Sequence, residues 1–186
     1  MKKTIVQTVM AMVVLCLMTA CSKGGDKKEN EEASSDVHTY HIEIAGGETY
    51  TGSVPSYAPG VVEVYYPAAF VEYSEEINSK VLAGSLHDVP GDFQFGVGLA
   101  MDDRNQPTIP ESGVGMTFGK RTAENKYGPA GNINMTLKNY KEHSISMYGE
   151  EATVASYTLT FSGKFKLGRA GEEEVDVTGE IVVAAP

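Results

Sequence analysis

The chain has 186 residues, which is enough for one domain with a hydrophobic core and too few for two domains of ordinary size. Its 25 acidic and 15 basic residues leave a net charge of -10. This excess of acid argues against a nucleic-acid partner, because a phosphate backbone is bound by clustered Lys and Arg. Twenty Gly, ten Tyr and no Trp are typical of a β-rich domain with many turns.

Residues 1–20 have the organisation of a signal peptide. Lys2 and Lys3 form a positive segment, and the apolar run that follows them is shorter than the roughly 20 residues that a membrane span requires. The segment LMTAC, which ends at Cys21, resembles the lipobox of bacterial lipoproteins, in which a small residue precedes an acylated cysteine. The resemblance implies cleavage before Cys21 and lipid attachment to it. The alternative is an ordinary secretory signal in which Cys21 is incidental.

The same resemblance implies an anchor and a location. Lipoproteins of this type are held in the bacterial cell envelope by their acyl chains, and Ser22 after the cysteine favours the outer membrane. Residues 21–36 then form the lipidated cysteine and a tether, which has no large apolar residue and is predicted to be disordered. Cys16 leaves with the signal peptide, so the mature domain has no thiol for a disulfide, a nucleophile or a metal site.

Residues 37–186 are predicted to form a single β domain, because apolar and polar residues alternate along several segments. The clearest of them is Phe93–Met101, in which every odd position is large and apolar. Gly163 and Gly179 lie on the apolar faces of two later segments and indicate bends or bulges. The apolar positions that are predicted to face the core are Phe93, Phe95, Val97, Leu99, Met101, Ile133, Met135, Leu137, Tyr157, Leu159, Phe161, Phe165, Leu167, Val175, Val177, Ile181 and Val183.

Turn signals divide this domain into short elements. The pair Gly46-Gly47 predicts a hairpin over 38–54, and the segment 168–174 predicts a loop between the last two strands. One short helix is predicted, with Ser74 as its cap and Gly84 at its end. About ten short strands with one helix predict an all-β fold, either an antiparallel β-sandwich or a small β-barrel.

Motifs for common catalytic chemistries are missing from the sequence. It has no G-x-S-x-G elbow, no H-E-x-x-H zinc motif and no Gly-rich phosphate-binding loop. The histidines are interpreted as scattered surface residues, and two of them, three positions apart in one strand, should point to opposite faces. The four histidines are His38, His41, His87 and His143.

A tyrosine-rich stretch is the one aromatic candidate for ligand stacking. It could contact sugars or peptides, but packing in the core or at a sheet edge is favoured, because platforms for glycans depend on Trp and the chain has none. The stretch comprises Tyr57, Tyr65, Tyr66, Phe70 and Tyr73.

A calcium site is a further hypothesis. If the strands from residue 92 onward form a simple meander, the loops 102–112, 139–143 and 168–174 lie at one end of the sheet and gather many carboxylates. A hard divalent cation such as calcium would relieve their repulsion. The alternative is a solvated acidic rim without an ion. The residues predicted as ligands are Asp102, Asp103 and Asn105.

The function predicted from these features is that of a lipid-anchored, non-catalytic binding or assembly module. Its partners would be the membrane, through the anchor, and an envelope protein or small ligand, with no role for nucleic acid. One alternative is a lipocalin-like carrier, in which a closed barrel encloses a small apolar ligand. Another is a carboxylate-dependent hydrolase such as a glycosidase, whose two acids need not be close in sequence.

Overall fold

The structure is a computed structural model that describes residues 37–56, 69–108, 115–147, 149–168 and 173–186. The predicted signal peptide and the tether with Cys21 lie outside the described residues. Within the described part of the chain, no helix is long and apolar enough to cross a membrane.

The described residues form an all-β fold, as the alternating sequence predicts. Antiparallel strands are joined into one sheet of 11 strands. The strands are β1 Val37–Ile44, β2 Thr49–Pro55, β3 Phe70–Ser74, β4 Ser79–Asp88, β5 Phe93–Met101, β6 Pro107–Thr108, β7 Met116–Lys120, β8 Tyr127–Pro129, β9 Asn134–Met147, β10 Glu150–Leu167 and β11 Glu174–Val183.

Strand β10 is the element at which the sheet closes on itself. Its first half pairs with β9 and its second half with β11. Val154 also pairs with Phe70 of β3, and Phe165 pairs with Pro129 of β8. Strands β3, β4, β5, β7 and β8 therefore form a ring with β10, while β11, β1 and β2 continue the sheet beyond it. The closed ring makes the fold barrel-like.

The core consists of the side chains that alternate inward along these strands. Phe95, Leu99, Phe161 and Ile181 are all buried, as predicted. Phe161 packs against Phe118 and Phe165, with ring centroids 6.3 and 5.9 Å away. Each buried side chain of this size contributes about 1.5–3 kcal/mol relative to full exposure, so this aromatic cluster is a main source of stability.

One predicted core residue of the alternating strands is exposed, and one glycine on their apolar faces allows close packing. Leu167 was expected to face the core, but it lies at the end of β10 and is 47% exposed. Gly179, which pairs with Phe161, is required for close packing: a Cβ atom at Gly179 would lie 2.2 Å from Cζ of the Phe161 ring. The missing side chain on β11 therefore makes room for the ring on β10.

The predicted helix between Ser74 and Gly84 is wrong. A hairpin occupies this segment: β3 ends at Ser74, a turn follows, and β4 begins at Ser79. Asn78 closes the turn with a left-handed φ of 48°, a conformation that Asn tolerates well. The segment forms a strand rather than a helix because β4 lies between β3 and β5, which together supply hydrogen-bond partners along its length.

The predicted hairpin at Gly46-Gly47 is confirmed by the pairing of β1 with β2, and Gly46 takes the left-handed φ of 71° that favours glycine. A buried hydrogen bond then fixes β1 against the turn that follows β4. Tyr40 Oη donates to Asp88 Oδ2 at 2.6 Å, and Asp88 Oδ1 accepts the backbone N–H of Gly91. Burial, together with Asp88, raises the pKa of Tyr40, so the phenol remains a donor.

Candidate functional site

The outward faces of β1, β11 and β10 carry two rows of polar side chains. Strand register places His41 opposite Glu180, and Glu180 opposite Thr160. The neighbouring row, two residues along each strand, consists of Glu43, Thr178 and Ser162. Alternation separates these polar residues from the core: on β10 and β11, the residues between them, Phe161 and Gly179, belong to the inward face.

These rows line an open groove of about 630 Å³. Asn134 and Thr136 of β9 complete its lining on the far side of β10. Eight of the ten described residues that line the groove have hydroxyl, amide, imidazole or carboxylate side chains, and its aromatic residue, Phe161, has its ring buried in the core. The groove therefore presents many hydrogen-bonding side chains to solvent.

Two carboxylates give the groove its charge. Glu43 and Glu180 are diagonal neighbours on adjacent strands, a relation that places Cβ atoms about 7 Å apart. His41 Nε2 lies 2.9 Å from Glu43 Oε1, and both side chains are more than half exposed. No lysine or arginine occurs among the described residues that line the groove.

Several carboxylates elsewhere on the sheet have lysine partners. Asp176, on the same strand as Glu180, lies 2.7 Å from Lys164 Nζ. Glu142 lies 2.6 Å from Lys80 Nζ, and this contact and the Tyr140 hydroxyl lower the pKa of Glu142. The carboxylates of the groove differ from these lysine-paired carboxylates, because a charged ligand could approach Glu43 and Glu180 without displacing a lysine.

The surroundings of Glu43 do not suit a general acid. A carboxyl group that acts as a general acid near neutral pH needs an apolar, desolvated environment to raise its pKa. Glu43 is 60% exposed, and the groove is open to solvent. Hydrogen-bond acceptors fixed on a rigid sheet suit the recognition of a donor-rich ligand.

The histidines do not all lie at the surface as predicted. His41 and His87 are exposed, and His38 and His41 point to opposite faces as expected. His38, however, is buried; its Nδ1 accepts the backbone N–H of Ala184 at 3.0 Å, and burial lowers the pKa of His38 to about 4. His143 is half-buried, and burial and Lys141 lower its pKa.

A second pairing of polar side chains lies on the β9–β10 hairpin. His143 Nε2 lies 2.8 Å from Ser156 Oγ, a separation that is suitable for proton transfer. A nucleophilic serine also needs a group that orients the histidine and donors for an oxyanion. Among the described contacts, the pair has neither, so we interpret it as a cross-strand hydrogen bond.

Two of the three residues predicted as calcium ligands, Asp102 and Asp103, line a smaller groove of about 380 Å³. Asp102 Oδ1 already accepts the backbone N–H groups of Arg104 and Gln106, both at 2.8 Å. Asn105 Oδ1 lies 3.4 Å from the Lys80 ammonium. Across the described residues, no three His, Cys, Asp or Glu side chains are grouped so that they could hold a metal ion.

The meander that motivated the calcium hypothesis is wrong. Residues 139–143 are not a loop, because they lie inside β9. Asn139 has a left-handed φ of 54° within this strand, so the chain bends there without leaving the sheet. The loops 102–112 and 168–174 are described only in part.

The tyrosine-rich stretch is likewise described in part, since Tyr57, Tyr65 and Tyr66 lie outside the described residues. Phe70 is half-buried on β3, which fits the packing interpretation. Tyr73 is 62% exposed, and its hydroxyl donates to Asn78 Oδ1 at 2.6 Å across the turn.

Comparison of the chain with protein-family models, with curated proteins and with solved structures finds no match. The functional argument therefore depends on the groove. Sequence analysis missed it, although the alternation did mark its residues as outward. The missing information was the pairing of β1 with β11, two strands that are more than 120 residues apart in the chain.

Proposed function

We propose that the protein is a lipid-anchored, non-catalytic binding module of the bacterial cell envelope. In this proposal Cys21 carries the lipid, residues 22–36 form the tether, and the β domain binds a partner in the groove on the outward faces of β1, β11 and β10. The observation that carries the proposal is the position of the groove, which is open and polar and lies on the outside of a packed domain.

The packing of the core favours this function over that of a lipocalin-like carrier. A carrier holds its ligand inside the barrel, so inward side chains must leave a cavity. Here large inward rings occupy the space between the strands, and Phe93, Phe95, Phe118 and Phe165 are almost completely buried. Phe118 alone is in ring contact with Phe161, Phe165 and two tyrosines.

The proposed tether and the charge of the domain are compatible with an exposed groove. A tether of fifteen residues can span about 50 Å when fully extended. Removal of Lys2 and Lys3 with the signal peptide leaves 13 basic and 25 acidic residues, a net charge of -12. This charge opposes adhesion of the domain to anionic headgroups, and so keeps its surface available to a partner.

The anchor is tested by fractionation of cells that express the full chain. We expect Cys21→Ser to release the protein from the membrane fraction or to stall its processing, and we expect metabolic labelling with a palmitate analogue to be lost. Cys16→Ser is the matched control and should behave like the wild type. A Cys21→Ser protein that remains processed, labelled and membrane-bound would show that the anchor is wrongly assigned.

The groove is tested by photo-crosslinking in the same cells. A photoreactive amino acid at Thr178, inside the groove, should give a discrete crosslinked product. The same group at His87, an exposed position on β4 away from the groove, should not. Equal products from both positions, or none from Thr178, would contradict binding in the groove.

A further inference from the structure

We infer that the groove binds an extended peptide segment that carries basic residues at alternate positions. This inference rests on the proposed function and names the chemistry of the partner. Its basis is the juxtaposition of Glu43 and Glu180 with the hydroxyl and amide groups around them.

Charge selects a cationic ligand. Glu43 and Glu180 present negative charge in a groove whose described lining has no lysine or arginine. An anionic ligand such as a phosphate or an acidic sugar would meet two carboxylates, and the one basic side chain of the described lining, His41, already contacts Glu43 at 2.9 Å, so binding of an anion is unfavourable. Ammonium and guanidinium groups are donors without acceptor capacity, so each can satisfy a carboxylate and neighbouring hydroxyls together.

Spacing selects an extended chain. Diagonal neighbours on adjacent strands lie about 7 Å apart, which is the relation of Glu43 to Glu180. In an extended peptide, side chains on the same face are two residues apart, which is also about 7 Å. Lysine or arginine at positions i and i+2 of a bound segment therefore matches both carboxylates, whereas adjacent basic residues point to opposite faces.

The remaining lining suits a peptide backbone. Thr160, Ser162 and Thr178 have hydroxyls that can donate as well as accept, and Asn134 adds an amide that can do both. An extended segment has free N–H and C=O groups on both of its edges, and these need such partners when they leave water. The groove thus offers carboxylates for the side chains and mixed donors and acceptors for the main chain.

The experiment measures binding of fluorescent peptides to the mature wild-type chain by anisotropy at low salt. The probe has the sequence Gly-Thr-Lys-Thr-Lys-Thr-Gly. A second peptide has the two lysines adjacent, a third has serine in place of both, and a fourth has glutamate. We expect the alternating-lysine peptide to bind most tightly and the glutamate peptide not to bind.

Variants of the chain test which residues are responsible. Glu43→Gln and Glu180→Gln keep the shape of each side chain and remove its charge, and each should weaken binding by about fivefold, the upper range for an exposed ion pair. Asp176→Asn is the matched control, because this carboxylate is on the same strand and is already paired with Lys164. It makes the same change in net charge and should leave binding unaltered.

The outcomes separate the inference from the function on which it rests. Binding that is equal for the serine and lysine peptides, or equal in the Glu→Gln variants and the wild type, overturns the cationic ligand. If spermidine competes with the peptides and abolishes the preference for alternating lysines, the ligand is a small amine and not a peptide. Loss of peptide binding with a retained crosslink from Thr178 overturns only the ligand class, whereas loss of both overturns the proposed function as well.

Discussion

The two faces of β10 and β11 differ in what their side chains do, although the residues alternate along the same strands. Phe161 and Ile181 point inward and are almost completely buried. Thr160 and Glu180, one residue away from each, point outward and line the groove. Inward positions are constrained by volume, because both a hole and an extra methyl group destabilise a packed core. Outward positions have no such constraint, so their chemistry can serve binding.

The largest expected effect comes from opening a hole in the inward face. Phe161→Ala should reduce the free energy of unfolding by about 3–5 kcal/mol, since the ring leaves a cavity that Gly179 cannot fill. Domains of this size have about 5–15 kcal/mol in total, so the variant should melt far below the wild type or fail to fold. Denaturant titration followed by circular dichroism measures the change. A loss below about 1 kcal/mol would mean that the two faces differ less than burial implies.

Acid should destabilise the fold through His38, which lies on the inward face. Burial lowers the pKa of His38 from 6.5 to about 4, so the unfolded chain binds a proton in this interval that the folded chain does not. The contribution of His38 to the free energy of unfolding is therefore fully present above pH 6.5 and decreases as the pH falls through this interval. Below pH 4 about 3 kcal/mol has been lost through this group.

Unfolding measured between pH 7.5 and 4 tests this effect. His38→Asn retains an acceptor near the position of Nδ1 for the N–H of Ala184 and does not titrate. The difference in stability between this variant and the wild type should therefore change in favour of the variant as the pH falls. A difference that is independent of pH would show that His38 does not remain neutral in the fold.

Adding one methyl group to the inward face should have a smaller effect. A Cβ atom at Gly179 would overlap the Phe161 ring, and Gly179→Ala should cost about 1–3 kcal/mol of unfolding free energy as the core adjusts. In a Phe161→Leu background the cost should be lower, so a double-mutant cycle should give a coupling between the two sites. Gly131→Ala is the control, because no atom lies within 4 Å of the added methyl. Equal costs at Gly179 and Gly131 would contradict the close approach.

The smallest effects are expected on the outward face. Thr160→Ala, Glu43→Gln and Glu180→Gln should each change the free energy of unfolding by less than about 0.5 kcal/mol, because surface groups without buried partners contribute little. Chemical denaturation at neutral pH provides the measurement. A loss comparable to that of Phe161→Ala would contradict the difference between the two faces. It would mean that the groove residues contribute strongly to the stability of the fold.

Sequence alternation was sufficient to predict the all-β class and much of the core. Phe95, Leu99, Phe161 and Ile181 were identified because a strand has a period of two and only one of its faces can reach the core. The hairpin at Gly46-Gly47 was also local information, since a tight turn needs a residue that accepts a left-handed backbone. The predictions of a lipid on Cys21 and an envelope location also come from a local motif and stay predictions.

Tertiary structure decided what local patterns left ambiguous. Capping residues around Ser74 fitted a helix, but pairing with β5 made the segment after it a strand. His38 is buried because β1 joins β11, a neighbour that local sequence does not specify. The same long-range pairing brings Glu43 and Glu180 together and creates the groove. The physical reason is that sequence periodicity determines which face a residue occupies, whereas only the order and register of distant strands determine which residues share that face.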